Sequence, residues 1–249
     1  LSFRLEVRGA GGHSSKPTKD NPIYHLAAGL VRLSQFEFPA RLSEITRGYF
    51  EKMSAIESGQ TAADMKAILK TPLDADALQR LSASPFYNSL LRTTAVATML
   101  EAGHAENALP QMARAVVNCR LLPDESPEAV EKGLRRILAD DRISVTPIEP
   151  AKPSPASPLM PEIMQAIERA KEKLWPGLPI VPALESGATD GFFFRRLGIP
   201  TYGIGGTTAD LDDIRAHGKD ERVGVADFYE ALEFEYRLII AVSTRMTQP

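Results

Sequence analysis

Between residues 147 and 161 the chain carries six prolines, Pro147, Pro150, Pro153, Pro155, Pro158 and Pro161, spaced two or three residues apart. A proline ring fixes φ and removes a backbone donor, so neither a helix nor an inner strand can run through such a stretch, which is expected to lie extended. A chain of 249 residues is long enough for two modest domains. The prolines place the division: residues 1–147, a crossover over 148–158, and 159–249.

The first part opens on an alternation, with Phe3, Leu5 and Val7 on one face and Arg4 and Glu6 on the other, which predicts a strand. The glycines of RGAGGHSSKP (8–17) then allow a sharp turn with His13 at its surface. Asn21 and Pro22 fit the cap and first turn of a helix whose apolar positions are Ile23, Leu26, Ala27, Leu30 and Val31. Residues 40–92 show helical stretches, among them Ala62 to Leu69 and Ala75 to Leu81, and read as a helical insertion. Strands are expected from Thr93 to Leu100 and over Ala113 to Leu121. A helix follows from Ser126 to Leu138, then a strand at Ile143 to Val145. That order suits a ferredoxin-like antiparallel sheet with helices on one face.

Beyond the prolines the reading is α/β. A helix is marked by Ile163, Ala166, Ile167, Ala170 and Leu174, a strand by Ile180 to Leu184, a short helix by Gly191 to Leu197 and a strand by Ile199 to Ile204. A last helix, about Val225 to Val242, is expected to bury Phe228, Tyr229, Leu232, Tyr236 and Ile239.

Composition narrows the function. With 29 Lys and Arg against 32 Asp and Glu, a net charge of -3 and a pI near 5.9, there is no cationic excess for a polyanion, so nucleic acid is not an expected partner. The single cysteine, Cys119, excludes an internal disulfide and a thiolate zinc cluster. No apolar run is long enough to span a membrane. The chain starts without methionine inside a strand pattern, which reads as a start in mid-protein.

Four histidines are present. His25, on the first helix, and His104, in a glycine-containing turn, are expected to face solvent. His13 follows glycines that let backbone and imidazole approach a ligand, although a turn histidine fits equally. His217 sits in the polar run RAHGKDER (215–222), where a surface histidine and a metal ligand are both open, the latter needing partners. ESGATDG (185–191) lies between an expected strand and a short helix. Hydroxyls and backbone N–H groups of Ser186, Gly187 and Thr189 could meet an anion there, or the segment could simply cap the helix. Arg120 could fork onto a carboxylate or lie on a solvated sheet face.

In that order, RGAGGHSSKP, RTTAVATMLEAGHAENALPQ (92–111), NCRLLP (118–123), ESGATDGFFFRRLGIPTYG (185–203) and RAHGKDERV (215–223) resemble the zinc-dependent aminoacylase and carboxypeptidase family. This is the family of acetylornithine deacetylase, succinyl-diaminopimelate desuccinylase and glutamate carboxypeptidase, and the likeness is to its carboxypeptidase S-like branch. The resemblance implies a catalytic α/β domain with two zinc ions and an inserted lid or dimerisation domain. Residues 1–147 would be the lid, with the insertion at about 40–92, and 159–249 the C-terminal part of the catalytic domain. It also implies roles. His217 would bind metal, and His13 would reach the partner subunit's site and steady the oxyanion. Asn107 would contact substrate, while Gly187, Ala188 and Thr189 would hold its carboxylate; Arg120 is taken as a further substrate-binding residue from its own position in the expected strand.

The family's other ligands and its general base lie upstream of residue 1, so this chain alone is expected to be inactive. The implied reaction is hydrolysis of the amide of a small peptide or N-acyl amino acid with a free carboxylate, by a homodimer joined through the first domain. A non-catalytic dimerisation or binding module is the alternative.

Overall fold

In the structure, a computed structural model that describes residues 1–123, 125–152, 154–185, 187–208, 215 and 218–244, the alternation at Phe3, Leu5 and Val7 forms β1 (Ser2–Arg8), with all three side chains fully buried. After it come β2 (Gly12–His13) and α1 (Pro22–Ser34). The insertion holds α2 (Glu44–Ile56), α3 (Gly59–Ala67), α4 (Ala75–Ser82) and α5 (Pro85–Leu91). The first part is completed by β3 (Thr94–Ala102), β4 (Ala108–Leu109), β5 (Met112–Arg120), α6 (Pro127–Leu138) and β6 (Ser144–Pro147).

Four strands form one sheet in the order β3-β5-β1-β6, every neighbouring pair antiparallel. With α1 after the first of these strands and α6 before the last, this is the ferredoxin-like arrangement. Both helices pack on one face. Leu26 and Leu33 from α1, and Val130, Leu134 and Leu138 from α6, meet the inward residues Ala113, Ala115, Val117 and Cys119 of β5. The helix starts are set by local chemistry. Asn21 Oδ1 accepts from the Ile23 N–H at 2.9 Å, and Ser126 Oγ from the Ala129 N–H at 3.3 Å, each just ahead of a first-turn proline. The insertion buries its own set, including Tyr49, Phe50, Met65, Ile68, Leu81, Leu90 and Leu91.

The chain clusters into two compact units, Leu1–Pro155 with Pro182–Gly187, and Ala156–Val181 with Ala188–Pro249. The second contains α7 (Pro161–Glu172), α8 (Gly191–Arg196) and α9 (Val225–Ser243). Ile167 and Ala170 of α7 bury against Phe234 of α9, and the Trp175 ring lies 5.3 Å from that of Phe234. Lys171 is buried yet satisfied, its Nζ donating to the Leu178 carbonyl at 2.7 Å and pairing with Glu168 and Glu172.

Two expectations fail beyond the prolines. Residues 180–184 and 199–204 form no strand, because polar groups there bond elsewhere or are missing. The Thr201 N–H and C=O both bond Ser157 Oγ, at 2.9 and 2.7 Å, while Pro182 and Pro200 have no N–H to give. In addition, α9 buries Ala231 and Phe234, leaving Phe228, Tyr229, Leu232, Tyr236 and Ile239 exposed. No helix among the described residues is long and apolar enough to cross a membrane.

Candidate active site

Gly11 (φ +73°) and Gly12 (φ +139°) adopt backbone conformations closed to most side chains, and through them the chain turns from β1 into β2. β2 pairs with β4 so that Gly12 faces Leu109 and His13 faces Ala108. The Ser14 N–H donates to the Asn107 carbonyl at 2.9 Å. His13 and Asn107, far apart in sequence, therefore stand together on an exposed corner. Nothing in the sequence signalled this pairing, because two-residue strands carry no periodicity.

The imidazole is held by a neighbour that the sequence reading passed over. His13 Nδ1 accepts from the Ser15 N–H at 3.1 Å and lies 2.8 Å from Ser15 Oγ. A small cavity of about 160 Å³ opens beside the ladder, lined by Gly11, Thr18, Asp20, Asn21, Leu109 and Pro110 among others.

His25 is not solvent-facing as expected. It is half-buried, with Nδ1 at 2.6 Å from Asp140 Oδ2 and Nε2 at 3.2 Å from Asp20 Oδ1, and Arg142 Nη1 also reaches Asp20 at 2.6 Å. The hydrogen bond from His25 holds the Asp140 carboxyl below the usual carboxylate range. This cluster was missed because Asp140 and Arg142 come from the turn after α6, 115 or more residues along the chain. His104 lies exposed in the turn between β3 and β4.

Arg120 is exposed at the last position of β5, opposite Thr94. The β2–β4 ladder adjoins the first end of that strand, where Met112 pairs with Arg8. Eight residues at about 3.4 Å each put Arg120 roughly 27 Å from that end, so the structure does not bring it to His13 and Asn107. It lies at the end of the sheet where the Cys119 N–H bonds the Leu1 carbonyl and the Ile148 N–H, at the start of the crossover, bonds the Ser2 carbonyl.

Gly187, Ala188 and Thr189 are exposed, Gly187 in the first unit and the other two in the second. The Gly187 N–H donates to Glu185 Oε1 at 2.8 Å, and Asp190, which precedes α8, makes no side-chain capping bond. His217 and Ser186 lie outside the described residues. No group of three or more His, Cys, Asp or Glu among the described residues could hold a metal ion. Those residues therefore do not by themselves make up a metal centre.

A family model described as a peptidase dimerisation domain matches residues 1–144. The mouse N-fatty-acyl-amino acid synthase/hydrolase PM20D1 is 26% identical over 248 residues, covering 96% of this chain and 48% of that protein. A probable carboxypeptidase S-like 2 of Dictyostelium discoideum is 25% identical over 244 residues, covering 96% of this chain and 46% of that one. Among solved structures, the M20 family metallo-carboxypeptidase Sso-CP2 from Sulfolobus solfataricus superposes with a TM-score of 0.59 at 19% identity, covering 98% of this chain and 58% of that one, a likeness of fold. The chain spans about half the length of the curated relatives it matches.

Proposed function

The chain belongs to the M20 peptidase dimerisation family, whose model covers more than half of it, and from that premise we propose that it supplies the lid and the C-terminal part of the catalytic domain of a zinc-dependent hydrolase. The substrate is a small peptide or an N-acyl amino acid with a free carboxylate, and the bond cut is the amide beside that carboxylate. In this reading residues 1–147 are the lid, 148–158 the crossover and 159–249 the catalytic part. Two zinc ions per subunit and His217 as one of their ligands belong to the same proposal, as family features.

One observation carries the reading: the β2–β4 pairing that sets His13 beside Asn107 on an exposed corner at one end of the lid sheet. An imidazole N–H and a carboxamide carried at neighbouring positions of that ladder are donors suited to an oxygen that gains negative charge as a tetrahedral centre forms. Arg120, at the opposite end, suits a carboxylate, which a guanidinium meets with two parallel hydrogen bonds. Gly187, Ala188 and Thr189 are small and exposed, and as a family feature they belong to the same proposal as residues that hold a substrate carboxylate. Ends roughly 27 Å apart cannot both close on one small molecule from a single lid. Each lid thus serves two sites. Arg120 belongs to one of them and His13 and Asn107 to the other, and the family likeness gives the His13 site to the partner subunit.

Mixing subunits tests this division. In a full-length enzyme carrying this chain, His13→Ala and Arg120→Ala should each lower activity by about a hundredfold or more, the order seen when one oxyanion donor is lost. After subunit exchange, a heterodimer holds one site with both residues intact and one with neither, so activity should climb well above either parent. Mixtures that exchange yet stay as slow as the parents would show that both residues serve the same site. Parents with undiminished activity would favour a binding module without catalysis at these residues.

A further inference from the structure

His13 is exposed, and among the described residues only one of its ring nitrogens is engaged. Nδ1 sits 3.1 Å from the Ser15 amide nitrogen and 2.8 Å from Ser15 Oγ, whereas Nε2 has no partner among the described residues. A backbone N–H can only donate. Where it points at an imidazole nitrogen, that nitrogen must present its lone pair, and in the neutral ring the proton then sits on the other nitrogen. The Ser15 hydroxyl, free to rotate, is obliged to donate to Nδ1 as well, because there is no proton there for it to accept.

We propose that Ser15 is a positioning residue that holds His13 in the neutral tautomer with its proton on Nε2, so that the corner formed by β2 and β4 presents a hydrogen-bond donor outward. The ligand group such a corner selects is an acceptor oxygen, a carbonyl or an oxyanion, rather than a donor. The opposite tautomer would turn an N–H toward the Ser15 N–H and leave a lone pair facing outward, where it would accept from a substrate rather than donate to its oxygen. The geometry is local: residues 12 to 15 lie between a glycine turn and the first turn beyond β2, and the Lys16 N–H closes that turn onto the His13 carbonyl at 3.0 Å. That closure sets Ser15 against its neighbour's ring.

The use of this donor in catalysis rests on the proposed function; the tautomer does not. Long-range proton–nitrogen NMR of the uniformly labelled 249-residue chain reads the two ring nitrogens directly. His13→Gln assigns the signals. At a pH where the ring is neutral, the expected result is a pyrrole-type shift at Nε2 and a pyridine-type shift at Nδ1. Ser15→Ala, which keeps the amide and loses the hydroxyl, should raise the ratio of the Nδ1–H to the Nε2–H form roughly threefold, about the weight of one exposed hydrogen bond. Ser15→Thr should restore the parental ratio. A pyrrole-type shift at Nδ1 in the parent, or a ratio indifferent to Ser15→Ala, overturns the proposal. Either result leaves the assignment of the fold and the subunit-mixing experiment untouched, so failure here is distinguishable from failure of the functional reading.

Discussion

Asp64 has the most buried carboxylate among the ion pairs described, with 5% of its side chain exposed, and it survives there because three donors reach it. Arg80 Nε and Nη2 approach at 2.9 and 2.7 Å and Gln60 Nε2 at 2.9 Å, a fork that ties α3 to α4 within the insertion. The Arg80 guanidinium holds the carboxyl below its usual range. Since the folded value lies below the unfolded one, the stabilisation is complete above the ordinary carboxylate range and is lost as pH falls through the folded value. Asp64→Asn should therefore cost about 2 kcal/mol near pH 7, and the gap to the parent should shrink in urea titrations taken down to roughly pH 3. A gap that is absent, or unchanged across that window, would contradict the assignment. At this scale the sequence was informative only where chemistry is local. The Asn21 cap could be read because its partner is two residues away; the Asp20, His25, Asp140 and Arg142 cluster could not, because its members meet only when α1 and the turn after α6 are already packed.

Elements show where pattern suffices and where it does not. In the first unit each strand's partners lie within the chain, so alternation in sequence became alternation of burial, as in β5, where Ala113, Ala115, Val117 and Cys119 all turn inward. In the second unit an apolar stripe on α9 said which residues are alike, not which find a neighbour. Phe234 meets Trp175, Ile167 and Ala170, and Tyr229, Tyr236 and Ile239 meet water. Likewise, the apolar segments 180–184 and 199–204, each interrupted by a proline, join no ladder among the described residues. Glycine spacing within helices gives a sharper, testable contrast. A Cβ on Gly29 of α1 would stand 2.6 Å from Ile143 Cδ1 and 3.1 Å from Leu138 Cδ2, where the helix rests on the turn from α6 to β6, while one on Gly48 of α2 meets nothing within 4 Å. Gly29→Val should lower stability by about 2 kcal/mol through overpacking, and Gly48→Ala should raise it by about 0.5–1 kcal/mol through helix propensity. Thermal melts moving in opposite directions would bear this out; equal shifts would mean that the close approach at Gly29 has no energetic weight.

At the scale of the whole molecule, the two edges of the four-stranded sheet are finished differently, and the difference singles out one surface as a candidate for pairing with a second copy. β6 is four residues long and ends in Pro147, a short edge that offers little to an incoming strand. β3 is nine residues long, has neither lysine nor proline, and exposes Val96, Met99 and Leu100 to 57%, 67% and 69%. Beside it α1, which packs against β3 as well as β1 and β5, turns Tyr24, Ala27, Ala28 and Val31 outward, an apolar stripe at helical spacing. An unprotected edge flanked by an apolar helix face is a surface to be covered, and a two-fold axis across β3 would pair its free N–H and C=O groups with their own copies while the two α1 stripes meet. We therefore expect the chain to sediment as a dimer at twice 27.2 kDa. The double substitution Val96→Lys with Leu100→Asp should bring it to the single mass. Folding is checked separately: the far-ultraviolet circular dichroism should be unchanged, because both side chains are already exposed and no buried contact is lost. A parent that stays monomeric at high micromolar concentration, or a folded variant that stays dimeric, would place the interface elsewhere than on β3 and α1.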